Sequence, residues 1–104
     1  MNTTAAILTK ARELLSTPDR WARKHQATAA NGIGVPWNST DAKCFCMMGA
    51  INRADWELKS DEAFDTMDLI EDIIGEALPI FNDNPGTTHA AVLRVFDQAL
   101  EETT

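Results

Sequence analysis

Two cysteines, Cys44 and Cys46, and two histidines, His25 and His89, are the residues of this 104-residue chain best suited to holding a metal or attacking a substrate. Together they are the ligand inventory of a Cys2His2 zinc site. The spacing argues against that use. On a helix, residues two apart point roughly 200° away from each other, so two thiols cannot both face one ion unless the helix starts later, and the usual two-residue spacer between cysteines is missing. A redox pair fails for the same reason. Free cysteines buried in a central helix are the expected reading. His89 falls on an apolar stripe with Val92, Leu93 and Phe96, which makes it a core-edge histidine bonded to the preceding loop. As a general base it would need a partner acid or nucleophile that the sequence does not supply. No Gly-rich phosphate loop, GxSxG turn or HExxH pair occurs. The expectation is a non-enzyme with no catalytic residue, metal or cofactor.

Small polar residues also gather at Asn82-Asp83-Asn84-Pro85-Gly86-Thr87-Thr88-His89. Free N–H groups at a helix start attract anions, and Asn82, Asp83, Thr87, Thr88 and His89 would then line a small-ligand or metal site, with His25 or a cysteine added. The same residues also make a well-formed corner. Asn84-Pro85-Gly86-Thr87 fits a type II turn, with glycine at positive φ, and Thr87 would cap the next helix. The loop brings no Lys or Arg and carries Asp83, so the corner is preferred.

Two charged stretches remain. Arg20-Trp21-Ala22-Arg23-Lys24-His25 interleaves base and aromatic, as single-strand nucleic-acid binders do. One hexapeptide in an acidic chain is better read as Trp21 anchoring a core among solvated neighbours. Asp61, Asp65, Asp68, Asp72 and Glu76 follow helical spacing opposite Phe64, Met67, Ile70 and Ile74, with Glu62 and Glu71 widening the stripe. No Lys or Arg lies between residues 60 and 93, so nothing in that helix offsets the repulsion. A one-sign stripe of this kind is either a solvated face or a docking face for a basic partner.

These residues need elements to position them, and the chain reads as one mainly α domain of about four helices. Composition is that of a globular protein, 44% hydrophobic and 24% charged. The first helix spans about Thr4–Leu15, with Ile7, Leu8, Ala11, Leu14 and Leu15 as one stripe, Asn2 or Thr3 as cap, and Ser16-Thr17-Pro18 as its end. A short β-hairpin is expected near residues 26–36, around the Asn31-Gly32 turn signal. The second helix runs from Asp41 to about Arg53, capped by Ser39 or Thr40. It is apolar on all sides and therefore central, with Gly49 and Ala50 allowing a close neighbour, and Trp37 and Trp56 closing its ends. The third runs from Asp61 to about Leu78, capped by Ser60, stopped by Pro79 and burying Phe64. The fourth runs from Thr88 to about Glu101. No apolar run approaches the ~18 residues of a membrane span, no signal peptide is evident, and two close cysteines suit a reducing cytoplasm.

The net charge of −7 is segregated. Residues 1–59 hold eight Lys/Arg against five acids, and residues 60–104 hold Arg94 alone against eleven. Such asymmetry bears on partners.

Cys46-Met47-Met48-Gly49-Ala50-Ile51, followed downstream by Phe81-Asn82-Asp83 and by Pro85-Gly86-Thr87-Thr88-His89-Ala90-Ala91-Val92-Leu93, resembles a family of small proteins of unknown function in bacteria and their phages. The resemblance takes in Trp21 and the first helix. Members carry tryptophan where Phe81 stands and an acid where Ala91 stands. The family brings no catalytic residue with it, and occurrence in phages implies an accessory protein acting on host machinery. The functional expectation is a small acidic binding protein, phage- or mobile-element-encoded. Its Asp61–Glu76 face would dock on a basic host protein, including one that handles nucleic acid, and inhibit it as anti-CRISPR proteins do. Direct contact with nucleic acid or membrane is not expected.

Overall fold

Ile7, Leu8 and Ala11, with Leu15 just past the end of their helix, have no exposed surface at all, and that helix organises the rest of the molecule. The computed structural model describes residues 3–103. In it α1 (Thr3–Leu14) lies against three other helices: α2 (Met47–Glu57), α3 (Ala63–Ile74) and α5 (His89–Glu102). The single stripe predicted for the first helix is what lets one face meet all three. Asn2, one of the two predicted caps, falls outside the described residues. A 3-10 turn at Pro18–Arg20 follows, with Pro18 at its start.

Two short strands, β1 (Ala27–Thr28) and β2 (Cys44–Phe45), pair antiparallel with Ala27 opposite Phe45 and Thr28 opposite Cys44. The predicted turn at Asn31-Gly32 is present, with Gly32 at φ +84°. An antiparallel bridge joins Thr28 to Gly34, and the Val35 N–H donates to Ala27 O at 3.0 Å. The chain therefore folds back over residues 26–36, although β1 finds its main partner in β2.

That pairing corrects the second helix, which starts at Met47 and ends at Glu57 where Asp41–Arg53 was expected. Ser39 makes a local turn, accepting from Asp41 N through its hydroxyl and from Ala42 N through its carbonyl. Lys43 N then donates to Thr28 O at 2.8 Å, and Cys44-Phe45 is drawn into the sheet. Neither Ser39 nor Thr40 caps the helix; Cys46 does, its sulfur accepting from Gly49 N. The close approach expected at Gly49 is real. A Cβ there would lie 1.8 Å from Gln26 O, so only glycine lets the first turn of α2 pass this backbone.

The third segment is two helices where one was expected from Asp61 to Leu78. Gly75, at φ +74°, closes α3 in the left-handed conformation, which glycine adopts without penalty. Pro79 then sits in the first turn of α4 (Leu78–Asp83), a position where its missing N–H costs nothing. Ser60 does not cap α3; its hydroxyl bonds to the Asp55 carboxylate. The buried face of α3 is Ala63, Thr66, Met67 and Ile70. Phe64 was expected inside and is 80% exposed, because it stands ~100° round the helix from Ala63. The last helix, α5, matches its expected span within one residue and buries Val92, Val95, Phe96 and Ala99.

Candidate functional site

Asn82, on α4, is 1% exposed and ties three distant segments together. Its Oδ1 accepts from the Trp21 indole N–H at 2.8 Å and from the Met47 backbone N–H at 2.9 Å. Its Nδ2 donates to Ala22 O at 3.1 Å and to Asp83 Oδ1 at 3.0 Å. The Met47 N–H is one of the orphan donors that every helix start must satisfy. Asp83 Oδ1 also accepts from Lys24 N at 2.8 Å, where Lys24 takes an unusual φ of +70°. Above this knot the Arg23 guanidinium lies 4.3 Å from the centre of the Trp21 ring and donates to Thr87 O.

The loop residues of the sequence reading thus come together, and each is engaged with protein. Thr88, one residue later than predicted, caps α5 by accepting from Ala91 N at 3.1 Å. Thr87 is buried and supplies the carbonyl that Arg23 holds. His89 Nε2 meets Leu15 O at 2.6 Å, at the end of α1 and not in the loop. The turn closes as expected, with Thr87 N donating to Asn84 O at 3.0 Å. It is not type II, because Gly86 does not have positive φ. Asn84 Oδ1 accepts from Gly86 N at 2.8 Å, and this side-chain turn closes the corner without the left-handed residue that type II requires.

The cysteines lie in extended chain, so the helical argument that separated them does not hold; their partners separate them. Cys44 is half-buried in β2 and its thiol donates to Asp19 O at 3.2 Å. Cys46 is buried at the start of α2. Burial pushes its thiol above the ordinary range, against the opposing pull of the Gly49 and Met48 N–H groups. Cys46, His25 and Asp83 line one small cavity of about 180 Å³. Among the described residues no three His, Cys, Asp or Glu side chains are grouped to hold a metal ion.

The acidic residues lie on a different surface. Asp65, Asp68 and Asp72 are exposed on α3, while Asp61 precedes the helix and Glu76 follows it, both also exposed. The ion pairs among the described residues are Lys10–Glu57, Arg12–Asp97 and Arg53–Glu57, and none involves these five acids. Glu71 is different, since its Oε2 accepts from Leu78 N at 2.7 Å and so caps α4. Phe64 stands one helical turn before Asp68 on the exposed side. Its place beside the acids was missed in the sequence. The signal was there: Ala63-x-x-Thr66-Met67-x-x-Ile70 is a complete buried stripe without Phe64.

The model of a family of unknown function, DUF6197, matches residues 1–102. The chain belongs to that family. The DUF6197 match contains both the Asn82 knot and the α3 face. No curated protein and no solved structure matches the chain. Among the described residues, no helix of this DUF6197 member is long and apolar enough to cross a membrane.

Proposed function

We propose that this DUF6197 member is a non-enzymatic binding protein that docks the exposed face of α3 on a basic surface of another protein. The observation that carries this reading is Phe64, 80% exposed next to a row of carboxylates without ion-pair partners among the described residues. Carboxylates of one sign steer a basic partner into place and speed association. An aromatic ring among them offers the apolar contact that slows dissociation, as interface anchors do. Asp61 and Glu76 extend the charge beyond both ends of the helix. The phage or mobile-element setting, and inhibition of a host protein as the outcome, rest on the resemblance of the Cys46–Ile51 and Phe81–Leu93 segments to phage-borne relatives.

The test separates charge from anchor. A partner is first captured from host lysate at low and high salt, and its binding kinetics are then measured. Replacing Asp65, Asp68 and Asp72 together by Asn should slow association and flatten its salt dependence. Phe64→Ala should leave association nearly unchanged and speed dissociation. If neither variant alters the kinetics of the captured protein, α3 is not the docking face.

A further inference from the structure

We propose that a second site, the cleft between the Pro18–Arg20 turn, β2 and α2, binds a phosphate monoester of mononucleotide size. The cleft holds about 560 Å³, within the range of small-molecule sites. Three cations line it, Arg20, Lys43 and Arg53, against one carboxylate, Asp19. Their sum, three minus one, is +2 in a protein whose net charge is −7. Glu57, which pairs with Arg53, is itself matched by Lys10 and does not change that sum. A phosphate monoester carries close to two negative charges at neutral pH, so the charges balance.

The cations differ in how they are held, and the difference is useful for binding. Arg53 is fixed before any ligand arrives. Its Nε donates to Glu57 Oε2 at 2.6 Å, and its Nη1 donates to Trp37 O at 3.1 Å and Ser39 O at 2.9 Å. Its guanidinium carbon lies 5.8 Å from the Phe45 ring centre and 5.4 Å from that of Trp56. Nη2 has no hydrogen bond to protein among the described residues and is the donor left for a ligand. A rigid guanidinium with an open donor meets an anion at little ordering cost. Arg20 and Lys43 are exposed, with no side-chain hydrogen bond among the described residues, and can close on the anion from opposite chain segments.

The rest of the lining selects the ligand's other half. Leu14, Ala30 and Ala42 give the cleft an apolar wall, suited to a base or another flat organic group. A long polyanion is disfavoured because residues 60–104 carry one cation and eleven acids, a balance of −10, which repels an extended phosphate backbone.

Cys44 lines the same cleft and is half-buried, while Cys46 is buried elsewhere, so the protein carries its own reporter. The rate of Cys44 modification by N-ethylmaleimide, located by peptide mass, is measured against adenosine 5′-monophosphate, adenosine, inorganic phosphate and a short oligonucleotide lacking a terminal phosphate. Protection by the monophosphate should be saturable, with adenosine inert and inorganic phosphate weaker. Arg20→Ala with Lys43→Ala should weaken protection about tenfold or more, the worth of a lost charged hydrogen bond, at unchanged melting temperature. The Asp65, Asp68 and Asp72 triple replacement should protect like wild type, so this site and the α3 face stand or fall separately. Four results would overturn the site: no protection at millimolar monophosphate, equal protection by adenosine, undiminished protection in the double variant, or tighter binding of the oligonucleotide. Inorganic phosphate binding as tightly as the monophosphate would remove the apolar wall from the proposal.

Discussion

Trp21 and Asn82 are 61 positions apart and joined by one hydrogen bond of 2.8 Å from indole nitrogen to amide oxygen. That oxygen also receives the first N–H of α2, so a single side chain fixes the entry of one helix and the seat of the largest aromatic near the loop.

Replacing Asn82 by Ala should therefore destabilise strongly. It leaves the Trp21 and Met47 donors and the Ala22 carbonyl without a partner, at ~1–3 kcal/mol for each buried group so stranded. The melting temperature should fall by roughly 10 °C or more, since each kcal/mol is worth ~4–8 °C in a domain of this size. Asn82→Asp keeps the acceptor for Trp21 and Met47 but turns both Nδ2 contacts into oxygen–oxygen repulsions. It too should melt early. Circular dichroism melts of both variants at unchanged salt decide the matter, and a shift under about 2 °C in either would remove Asn82 from the centre of the fold.

Glycine replacements should rank by space. Gly49→Ala puts a Cβ 1.8 Å from the Gln26 carbonyl oxygen, a rigid backbone atom, and should prevent the native packing of α2 on the segment before β1. Gly86→Ala meets only the Asn84 side chain at 3.3 Å at a φ any residue tolerates, so its cost should stay within about 1 kcal/mol. Gly75→Ala, at positive φ, should lie between them at ~1–2 kcal/mol. Urea denaturation of the three variants gives the order, and a Gly86 variant weaker than the Gly49 one would contradict it.

Acid stability should depend on Glu57. Partial burial pushes its carboxyl upward, but the hydrogen bonds and charges of Arg53 and Lys10 outweigh that and hold it below the ordinary glutamate range. A carboxylate depressed in the folded state binds its proton more readily when unfolded. Its contribution is present above the unfolded value near 4.5 and is lost as the pH falls through the folded one. Glu57→Gln should lower stability at neutral pH and show a shallower loss below about pH 5 than wild type. Equal acid slopes in the two proteins would show that the Arg53–Glu57–Lys10 group contributes nothing to acid stability.

Relieving charge on α3 should stabilise slightly. Asp68 and Asp72 are a like-charge pair four residues apart, worth ~0.2–0.5 kcal/mol of repulsion. The Asp65, Asp68 and Asp72 triple replacement by Asn should thus melt at or just above wild type, and Phe64→Ala should melt within a few degrees of it. A large fall in either would show that this face supports the fold.

The helices that read clearly in the sequence are α1 and α5, where a single apolar stripe sets the span to within about a residue. The errors fall where tertiary pairing overrode local pattern. Ser39-Thr40-Asp41 is a good helix start, yet Lys43 and Cys44 are claimed by Thr28, and no local signal marks a partner 15 residues upstream. Gly75-Glu76-Ala77 read as helix because its neighbours are apolar, but a glycine in the left-handed conformation ends α3 there. Of the candidate sites, the five loop residues were legible as a group because turn chemistry is local. Their partners, Trp21, Arg23 and Leu15, were not, being about 60 to 74 positions away. The cleft of Arg20, Lys43 and Arg53 was invisible for the same reason.

The seat of α1 has a consequence for how the protein is made. α1 leaves the ribosome before the other helices of this fold, and its stripe of Ile7, Leu8 and Ala11, with Leu15 just past its end, is covered partly by α5, which emerges after them and is held to α1 by Arg12 and Asp97 at 2.6 Å. At ~5–20 residues per second of synthesis, that stripe waits several seconds without its final cover. A nascent chain stalled before His89 should expose it to chaperones, and one from which the whole of α5 has emerged should escape them.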